Sequence, residues 1–214
     1  MSVTPIPPWA RSGIAELCRR DPAFLRVEAE AGPLVWRTRP RGFAGLVRTL
    51  FGQQISHRAA GAIWCRYAAL PKSLDPEGSL QLNDEQLRAA GLSRNKVAHL
   101  RSLAAACLSG SLRLDALPAM ADDVALAHLA AQRGLGPWTA QVYLLFAEQR
   151  ADIFPYGDVA LAASLQHLRG LPDRPASRQL LVLSGEWTPW RSLAARLLWQ
   201  HWRHALGRPL ADAD

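Results

Sequence analysis

Apolar residues recur at three- and four-residue spacing along most of the chain, which is the period of an amphipathic helix. The pattern is clearest where the apolar positions are Phe43, Leu46, Val47, Leu50 and Phe51. No stretch alternates apolar and polar residues as a half-buried strand would, and residues 32–40, bounded by glycine and proline, are extended at best. The pattern therefore predicts an all-α fold with helices of ordinary length and short connections.

Helix-capping residues mark where several helices begin. Ser56 is a natural N-cap, Asn83-Asp-Glu-Gln86 forms a capping box, and Ser93 would cap another helix. The residues before 12, rich in proline, are predicted to form a loose arm. The predicted helices cover about 12–20, 43–51, 57–70, 83–91, a segment from 93, a segment from 122 or 123, 137–150, a segment from 159, 175–185 and 189–206.

A tight turn is predicted at residues 133–137, Arg-Gly-Leu-Gly-Pro. Gly134 and Gly136 bracket one leucine, and Pro137 takes the position where proline best tolerates a helix start. This predicts a helix, a turn and a second helix whose first amides face outward. Such a helix N-terminus can bind an anion such as a DNA phosphate.

About twenty residues after this turn, Asp158 stands as a single carboxylate among apolar neighbours. The preceding loop, residues 150–157, is long enough to bring Asp158 back toward the mouth of the turn. Two interpretations are open from the spacing. Asp158 could be a catalytic carboxylate, or it could serve as the N-cap of a helix beginning at Val159.

Charge and composition indicate what kind of molecule the protein binds. The chain has 214 residues, a formal net charge of +7 and an isoelectric point near 10.1, which favours an anionic polymer. Lys72 and Lys96 are its two lysines, and the abundance of arginine fits either phosphate contacts or a GC-rich genome. The three cysteines are too widely spaced for a CxxC metal site. We expect reduced thiols and a cytoplasmic protein, since no membrane span or signal peptide is visible.

Four segments together resemble the helix-hairpin-helix DNA glycosylases, most closely the 3-methyladenine DNA glycosylase II branch. They are Phe51-Gly-Gln-Gln-Ile-Ser56, the turn Arg133 to Ala140, Phe154 to Asp158, and Trp187-Thr-Pro-Trp-Arg-Ser192. The resemblance runs from about residue 40 to about residue 204. It implies two helical lobes flanking a DNA-binding cleft, with residues 1–40 as an arm and short helix on the C-terminal lobe and 41–214 as the core. The residues before Phe43 are too few for the β domain of some relatives, so we expect the compact form.

The resemblance also implies roles for individual residues. Asp158 matches the catalytic aspartate. The DNA-binding hairpin comprises Arg133, Gly134, Leu135, Gly136, Pro137 and Thr139, and its backbone carbonyls can hold Na⁺ or K⁺. Gln54 lies at the position of the wedge that fills the gap left by an extruded base, within a junction that includes Gln53 and Ser56. Two adjacent glutamines at a helix junction could equally be a solvated polar face. Trp138 and Trp199 match pocket-lining tryptophans, and Tyr143 and Tyr156 are further candidates for the base pocket.

The implied reaction is hydrolysis of an N-glycosidic bond without lyase activity, because Trp138 falls where lyase-active relatives carry a Schiff-base lysine. The expected substrate is an alkylated purine, of the 3-methyladenine or 7-methylguanine type, in double-stranded DNA. Two alternatives are a glycosylase for deaminated or oxidised bases and a non-catalytic protein that binds DNA structure. We expect a monomer with no obligate protein partner and no cofactor beyond the hairpin cation.

Overall fold

The computed structural model describes residues 2–205, and their fold is all-α, as predicted. The only paired strands in that range are two residues long and antiparallel, with Ser2 opposite Thr38 and Val3 opposite Arg37. The elements are, in chain order, β1 Ser2–Val3, α1 Pro8–Arg20, α2 Ala23–Ala31, β2 Arg37–Thr38, α3 Gly42–Phe51, α4 His57–Ala68, α5 Pro76–Gln81, α6 Asp84–Ala89, α7 Arg94–Leu108, α8 Asp122–Ala130, α9 Pro137–Phe146, α10 Val159–Arg169, α11 Ser177–Ser184 and α12 Arg191–Ala205, with 3₁₀ turns at Leu117–Ala119 and Gly185–Trp187.

The described chain divides into two compact units. Unit 1 contains residues 2–38 and 149–205, so it is built from both ends of this range, and unit 2 contains residues 39–148. In unit 1, α12 packs against α1, α2 and α10. In unit 2, α7 packs against α3 and α5, while α9 packs against α3 and α8. The large side chains buried at these contacts include Leu17, Phe24, Trp36 and Trp187 in unit 1 and Leu46, Phe51, Tyr67, Leu100 and Tyr143 in unit 2.

The predicted N-caps are confirmed. Ser56 Oγ accepts a hydrogen bond from the Ala59 amide at 3.2 Å, and Ser93 Oγ accepts one from the Lys96 amide at 3.3 Å. The capping box at the start of α6 is also present. These bonds join residues within one helical turn, which is why the sequence alone reveals them.

Several helix boundaries differ from the prediction. Helix α1 begins at Pro8 rather than near residue 12, and α2 and α5 were not predicted. Helix α9 ends at Phe146 instead of near Arg150, and Gln149 just beyond it has a φ of +55°. A residue in the left-handed region cannot continue a right-handed helix, so the chain turns there. None of the described helices combines the length and apolar character needed to cross a bilayer.

Candidate active site

The turn between α8 and α9 requires glycine at one position. Gly134 has a φ of +90°, and a Cβ placed on it would lie 2.4 Å from Cγ of His99, which belongs to α7. The next residue, Leu135, is 2% exposed and fixes the turn to the core of unit 2. Its amide donates to the Gln132 carbonyl at 3.0 Å. The predicted helix-hairpin-helix motif is therefore present and packed from beneath by α7.

The outer side of this turn presents backbone to its surroundings. Gly136 is the exposed N-cap of α9, and a Cβ placed on it would meet no atom within 4 Å. Pro137 follows at the first helical position. The first amides of a helix lack carbonyl partners within the helix, and the helix dipole is positive at that end. With the exposed Arg133 beside it, the turn has the geometry and charge of a phosphate-binding site.

The junction between α3 and α4 lies against this turn. The Gln53 side chain is half-buried, and its Nε2 donates to the Gly134 carbonyl at 2.9 Å and to Thr139 Oγ1 at 2.7 Å. Gln54, in contrast, is exposed and has a φ of +58°. The two adjacent glutamines thus differ: Gln53 supports the turn from inside, while Gln54 is the junction glutamine that is open to a ligand. Ser56 caps α4, as described above.

The Thr139 side chain faces the interior of unit 2, and its membership of the DNA-binding hairpin stays a prediction. Its side chain is 2% exposed, and the hydroxyl accepts the hydrogen bond from Gln53 rather than facing solvent. Thr139 lies in the first turn of α9, on the face of the helix that packs into the interior of unit 2. The residues of the hairpin that are exposed are Arg133, Gly136 and Pro137.

Lys96 also contacts the α3–α4 junction, which the sequence did not indicate. From α7, its Nζ donates to the Phe51 carbonyl at 2.5 Å and to the Gln53 carbonyl at 3.2 Å. Burial lowers the pKa of the Lys96 ammonium. This ammonium bonds carbonyls at the C-terminal end of α3, where helix carbonyls lack amide partners.

Asp158 begins α10 in unit 1 and is its N-cap. Its Oδ1 accepts hydrogen bonds from the Ala160 amide at 2.8 Å and the Leu161 amide at 3.1 Å. The Asp158 amide donates to the Pro155 carbonyl at 2.9 Å, so the preceding turn is also ordered. The side chain is half-buried. The capping interpretation is therefore confirmed, and capping orients the carboxylate rather than excluding it from chemistry.

The loop that leads to Asp158 is fastened to the start of α12. The Ser192 amide donates to the Ala151 carbonyl at 3.0 Å, and Ser192 Oγ bonds both the amide and the carbonyl of Ile153 at 2.9 Å. Arg191 forms a bidentate ion pair with Asp152 at 2.8 and 2.9 Å. We refer to these contacts as the 151–153 bracket. In the sequence, this bracket was indicated only by Arg191 and Ser192, which end the segment Trp187-Thr-Pro-Trp-Arg-Ser192.

The predicted aromatic pocket residues fall in both units. Trp138 is in unit 2, Tyr156 and Trp199 are in unit 1, and all three are half-buried. Trp187 is fully buried, and its ring lies 5.4 Å from the Phe154 ring at an interplanar angle of 55°, so it belongs to the core of unit 1.

Tyr143 is embedded in unit 2. It is 0% exposed, and its hydroxyl accepts from the Gly42 amide at 2.9 Å and contacts Glu148 Oε1 at 3.4 Å. Burial, reinforced by the negative charge of Glu148, raises the pKa of this phenol. Tyr143 thus joins α9 to the start of α3, and its placement in the base pocket stays a prediction.

Among the described residues, no cluster of histidine, cysteine and carboxylate side chains could hold a metal ion. The hairpin carbonyls are a different kind of donor, suited to a hard monovalent cation. The Gln132 carbonyl accepts from the Leu135 amide, and the Gly134 carbonyl accepts from Gln53. A carbonyl oxygen has two lone pairs, so these bonds are compatible with a Na⁺ or K⁺ ligand role, which stays a prediction.

Comparison with known proteins adds a family match to this geometry. Residues 47–189 match the model of the HhH-GPD superfamily base excision DNA repair proteins. The Bacillus subtilis protein YfjP, which bears the name of a DNA-3-methyladenine glycosylase, is 33% identical over 150 residues, or 70% of this chain. This chain spans 48% of the length of that relative.

Two further comparisons cover most of both proteins. DNA-3-methyladenine glycosylase 1 of Schizosaccharomyces pombe is 29% identical over 159 residues, which are 72% of this chain and 70% of the relative. The solved structure of the 3-methyladenine DNA glycosylase Mag1 from that yeast, in complex with abasic DNA, superposes with a TM-score of 0.81 at 25% identity. The match covers 95% of this chain and 99% of the Mag1 chain.

Proposed function

The chain belongs to the HhH-GPD superfamily of base excision DNA repair proteins, and from this membership we propose that it is a monofunctional DNA glycosylase that removes alkylated purines from duplex DNA. The observation that carries the proposal is the presence of Asp158 as an oriented, half-buried carboxylate at a helix start, within the family match. The names of the relatives described above support an alkylated purine as the substrate.

We assign the hydrolysis step to the Asp158 carboxylate. Alkylation at a ring nitrogen gives the purine a positive charge, so the base leaves with the electron pair of the N-glycosidic bond and needs no strong general acid. The sugar then resembles an oxocarbenium ion, which a nearby carboxylate stabilises. A water oxygen bonds to C1′ and its proton passes to the Asp158 carboxylate. The products are a neutral free base and an intact abasic strand.

The turn at 133–137 and Gln54 act on the DNA before this step. A base within the duplex must be extruded, which costs roughly a few kcal/mol and less for a poorly paired base. The outward amides of α9 and Arg133 hold a backbone phosphate. Gln54 is exposed on the neighbouring junction and fills the gap, where its amide can hydrogen-bond the orphaned partner base.

Aromatic side chains select the cationic base. A cation over a tryptophan or tyrosine face gains about 0.5–2 kcal/mol, depending on desolvation. Trp138, Trp199 and Tyr156 are half-buried and are the candidates for this contact. A neutral, undamaged purine would lack the cationic contribution.

The lysines argue against a lyase step. A lyase needs an amine nucleophile at the sugar, and the chain has two lysines. Lys96 Nζ is held by two backbone carbonyls, and Lys72 lies on the exposed connection between α4 and α5. We therefore predict that borohydride reduction will not trap the protein on DNA containing a damaged base. A covalent adduct that disappears in a Lys96→Met variant would contradict this prediction.

The assignment of Asp158 is tested by Asp158→Asn. Asparagine is an equally good N-cap, so this change keeps α10 and removes the carboxylate charge. We expect release of methylated purines from treated duplex DNA to fall by about 10²-fold or more. DNA affinity should be equal or higher, because a negative charge is lost.

Asp75→Asn is the matched control. Asp75 N-caps α5 through a 2.7 Å bond from the Gly78 amide, so both variants replace a capping aspartate. Excision by this control should match that of the unmodified protein. Excision retained in Asp158→Asn would remove Asp158 from the mechanism. Release of deaminated or oxidised bases, with no methylated purines, would instead change the substrate.

A further inference from the structure

The five residues that join α3 to α4, 52–56, are fastened to two other elements of unit 2. Gln53 bonds the turn between α8 and α9, and Lys96 bonds two carbonyls at the end of α3 from its place on α7. Short exposed loops without such bonds are among the most mobile parts of a protein. These residues, which we call the junction loop, therefore have two anchors, and both lie just before Gln54.

The Gln53 amide uses both of its N–H groups inside unit 2. One is directed to the Gly134 carbonyl and one to the Thr139 hydroxyl, at 2.9 and 2.7 Å. Both acceptors belong to the helix-hairpin-helix motif, so the junction loop and the phosphate-binding turn are held as one piece. A displacement of the turn would be transmitted to residue 53 and hence to its neighbour Gln54.

Lys96, on α7, anchors the same end of the junction loop. Its ammonium lies at the C-terminal end of α3, where a positive charge complements the negative end of the helix dipole. It donates to the carbonyls of Phe51 and Gln53 and so spans the place where the helix stops. The amide of Lys96 is itself bonded to Ser93, which fixes the start of α7 beneath it.

Gln54 is held in a conformation that an L-residue adopts only with support. Its φ of +58° is in the left-handed region, which is unfavourable for a residue with a Cβ, and its side chain is exposed. Such backbone conformations persist where surrounding contacts enforce them. The contacts of Gln53 and Lys96 fall on the residues immediately before Gln54.

We propose that Lys96 and Gln53 are positioning residues, which hold Gln54 in its gap-filling conformation before DNA binds and couple it to the phosphate-binding turn. The proposal rests on the function proposed above for the turn and Gln54. Preorganisation removes an ordering cost that would otherwise be incurred when the base is extruded. Neither residue touches the reacting atoms, so their effect should appear in extrusion and not in the bond-breaking step itself.

The test compares Lys96→Met with Lys96→Arg and Lys72→Met. Methionine keeps the length of the side chain but donates no hydrogen bond, whereas arginine keeps the charge and can bond two carbonyls. Lys72→Met removes the same charge from an exposed residue that also has a positive φ, of +54°. Both methionine variants change the net charge of the chain equally, so nonspecific DNA attraction is matched.

Two readouts separate this proposal from the proposed function. Fluorescence of 2-aminopurine placed at the target site of a duplex reports unstacking without any excision, and single-turnover release of methylated purine reports the whole reaction. We expect Lys96→Met to reduce both by about tenfold, Lys96→Arg to restore them, and Lys72→Met to leave them unchanged. Absence of excision in every protein, with an intact fluorescence difference, would refute the proposed function alone.

A Gln54→Ala background shows whether Lys96 acts through Gln54. We expect Lys96→Met to have little further effect on 2-aminopurine fluorescence once the Gln54 side chain is gone, because the two changes then remove the same contribution. A full tenfold effect in that background would overturn the proposal. So would equal fluorescence in the Lys96→Met and unmodified proteins.

The role of Gln53 is tested by changing Thr139, whose hydroxyl accepts one of its hydrogen bonds. The measurement is again the fluorescence of 2-aminopurine. Thr139→Val removes the acceptor and Thr139→Ser keeps it. We expect the valine variant to weaken extrusion severalfold, the serine variant to preserve it, and Gln53→Leu to add little to Thr139→Val. Identical behaviour of valine and serine variants would show that the hydroxyl has no positioning role.

Discussion

Asp158 shows how one side chain can serve structure and chemistry together. Two backbone amides of α10 bind its Oδ1, and this fixes the plane and direction of the carboxylate. An N-cap role is often offered as the alternative to a catalytic role. For a carboxylate that must stabilise a developing positive charge, an orientation fixed in advance is an advantage, because no reorganisation is needed during the reaction.

Gly134 is the residue on which the phosphate-binding turn depends. Alanine at this position would suffer the left-handed backbone penalty of about 1–2 kcal/mol and would also push its Cβ against the His99 ring. Displacing a packed side chain adds about 1–3 kcal/mol. We expect Gly134→Ala to lower the free energy of unfolding by about 2–5 kcal/mol, as measured by urea denaturation.

Gly110→Ala is the control for this change. Gly110 has a φ of +74°, and a Cβ there would meet no atom within 4 Å, so only the backbone penalty applies. Its cost should stay near 1–2 kcal/mol. If the two alanine variants were equally stable, the contact between the turn and His99 would have no energetic weight.

At the scale of secondary-structure elements, the residues proposed to act on DNA lie in or beside loops that neighbouring helices hold in place. The junction loop is bonded to α7 and to the α8–α9 turn, and the 151–153 bracket joins the approach to Asp158 to the start of α12. These bonds link residues about 40 to 80 positions apart, as for Ile153 with Ser192 and Gln53 with Gly134. These bonds fix the geometry of two loops that have no regular secondary structure.

The packing of α2, α10 and α12 contains a buried histidine whose titration should affect stability. His201 is 0% exposed, and its Nε2 lies 3.0 Å from Nδ1 of His167 on α10. Burial, and then the charge of His167, lower the pKa of His201, with Glu30 opposing and Arg26 and His204 adding to the effect. Folding therefore disfavours the protonated form.

This pKa shift predicts a loss of stability in mild acid. The unfolded chain binds a proton near pH 6.5, while the folded chain resists it, so the contribution of His201 is present above that pH. The free energy of unfolding should decrease as pH falls below about 6.5. His204→Gln removes one of the smaller contributions to the shift and should retain most of this slope, whereas His201→Gln should flatten it. A slope unaffected by His201→Gln would assign the acid sensitivity to another group.

At the scale of the whole molecule, the net charge of +7 bears on how DNA is bound. Neutralising phosphates releases counterions, so log K should fall linearly with log salt concentration, with a slope near −0.9 per phosphate contact. With about four contacts, affinity for a duplex should drop roughly 10²-fold between 50 and 200 mM salt.

The slope should be the same for methylated and unmodified duplexes, because phosphate contacts do not depend on the base. Fluorescence anisotropy at several salt concentrations measures it. Binding that hardly changed with salt would mean that the positive charge of the chain does not contact the DNA backbone.

The helical fold class, most helix starts, the helix-hairpin-helix turn and the candidate carboxylate could be predicted from the sequence alone. These features depend on residues within one or two turns of each other. A serine before a helix, a glycine in a tight turn and an apolar repeat act through bonds and contacts that local spacing dictates. Short helices such as α2 and α5 were not predicted, because each has too few turns for a helical repeat of apolar residues to be recognised.

Which side chains contact each other could be learned only from the packed helices. Their packing distinguished the inward Gln53 from the exposed Gln54, turned the Thr139 hydroxyl into the interior, and directed Lys96 to the end of α3. It also placed Ser192 on the loop before Asp158. Each of these contacts joins residues far apart in the chain, and their pairing follows from how whole helices pack, which no local pattern encodes.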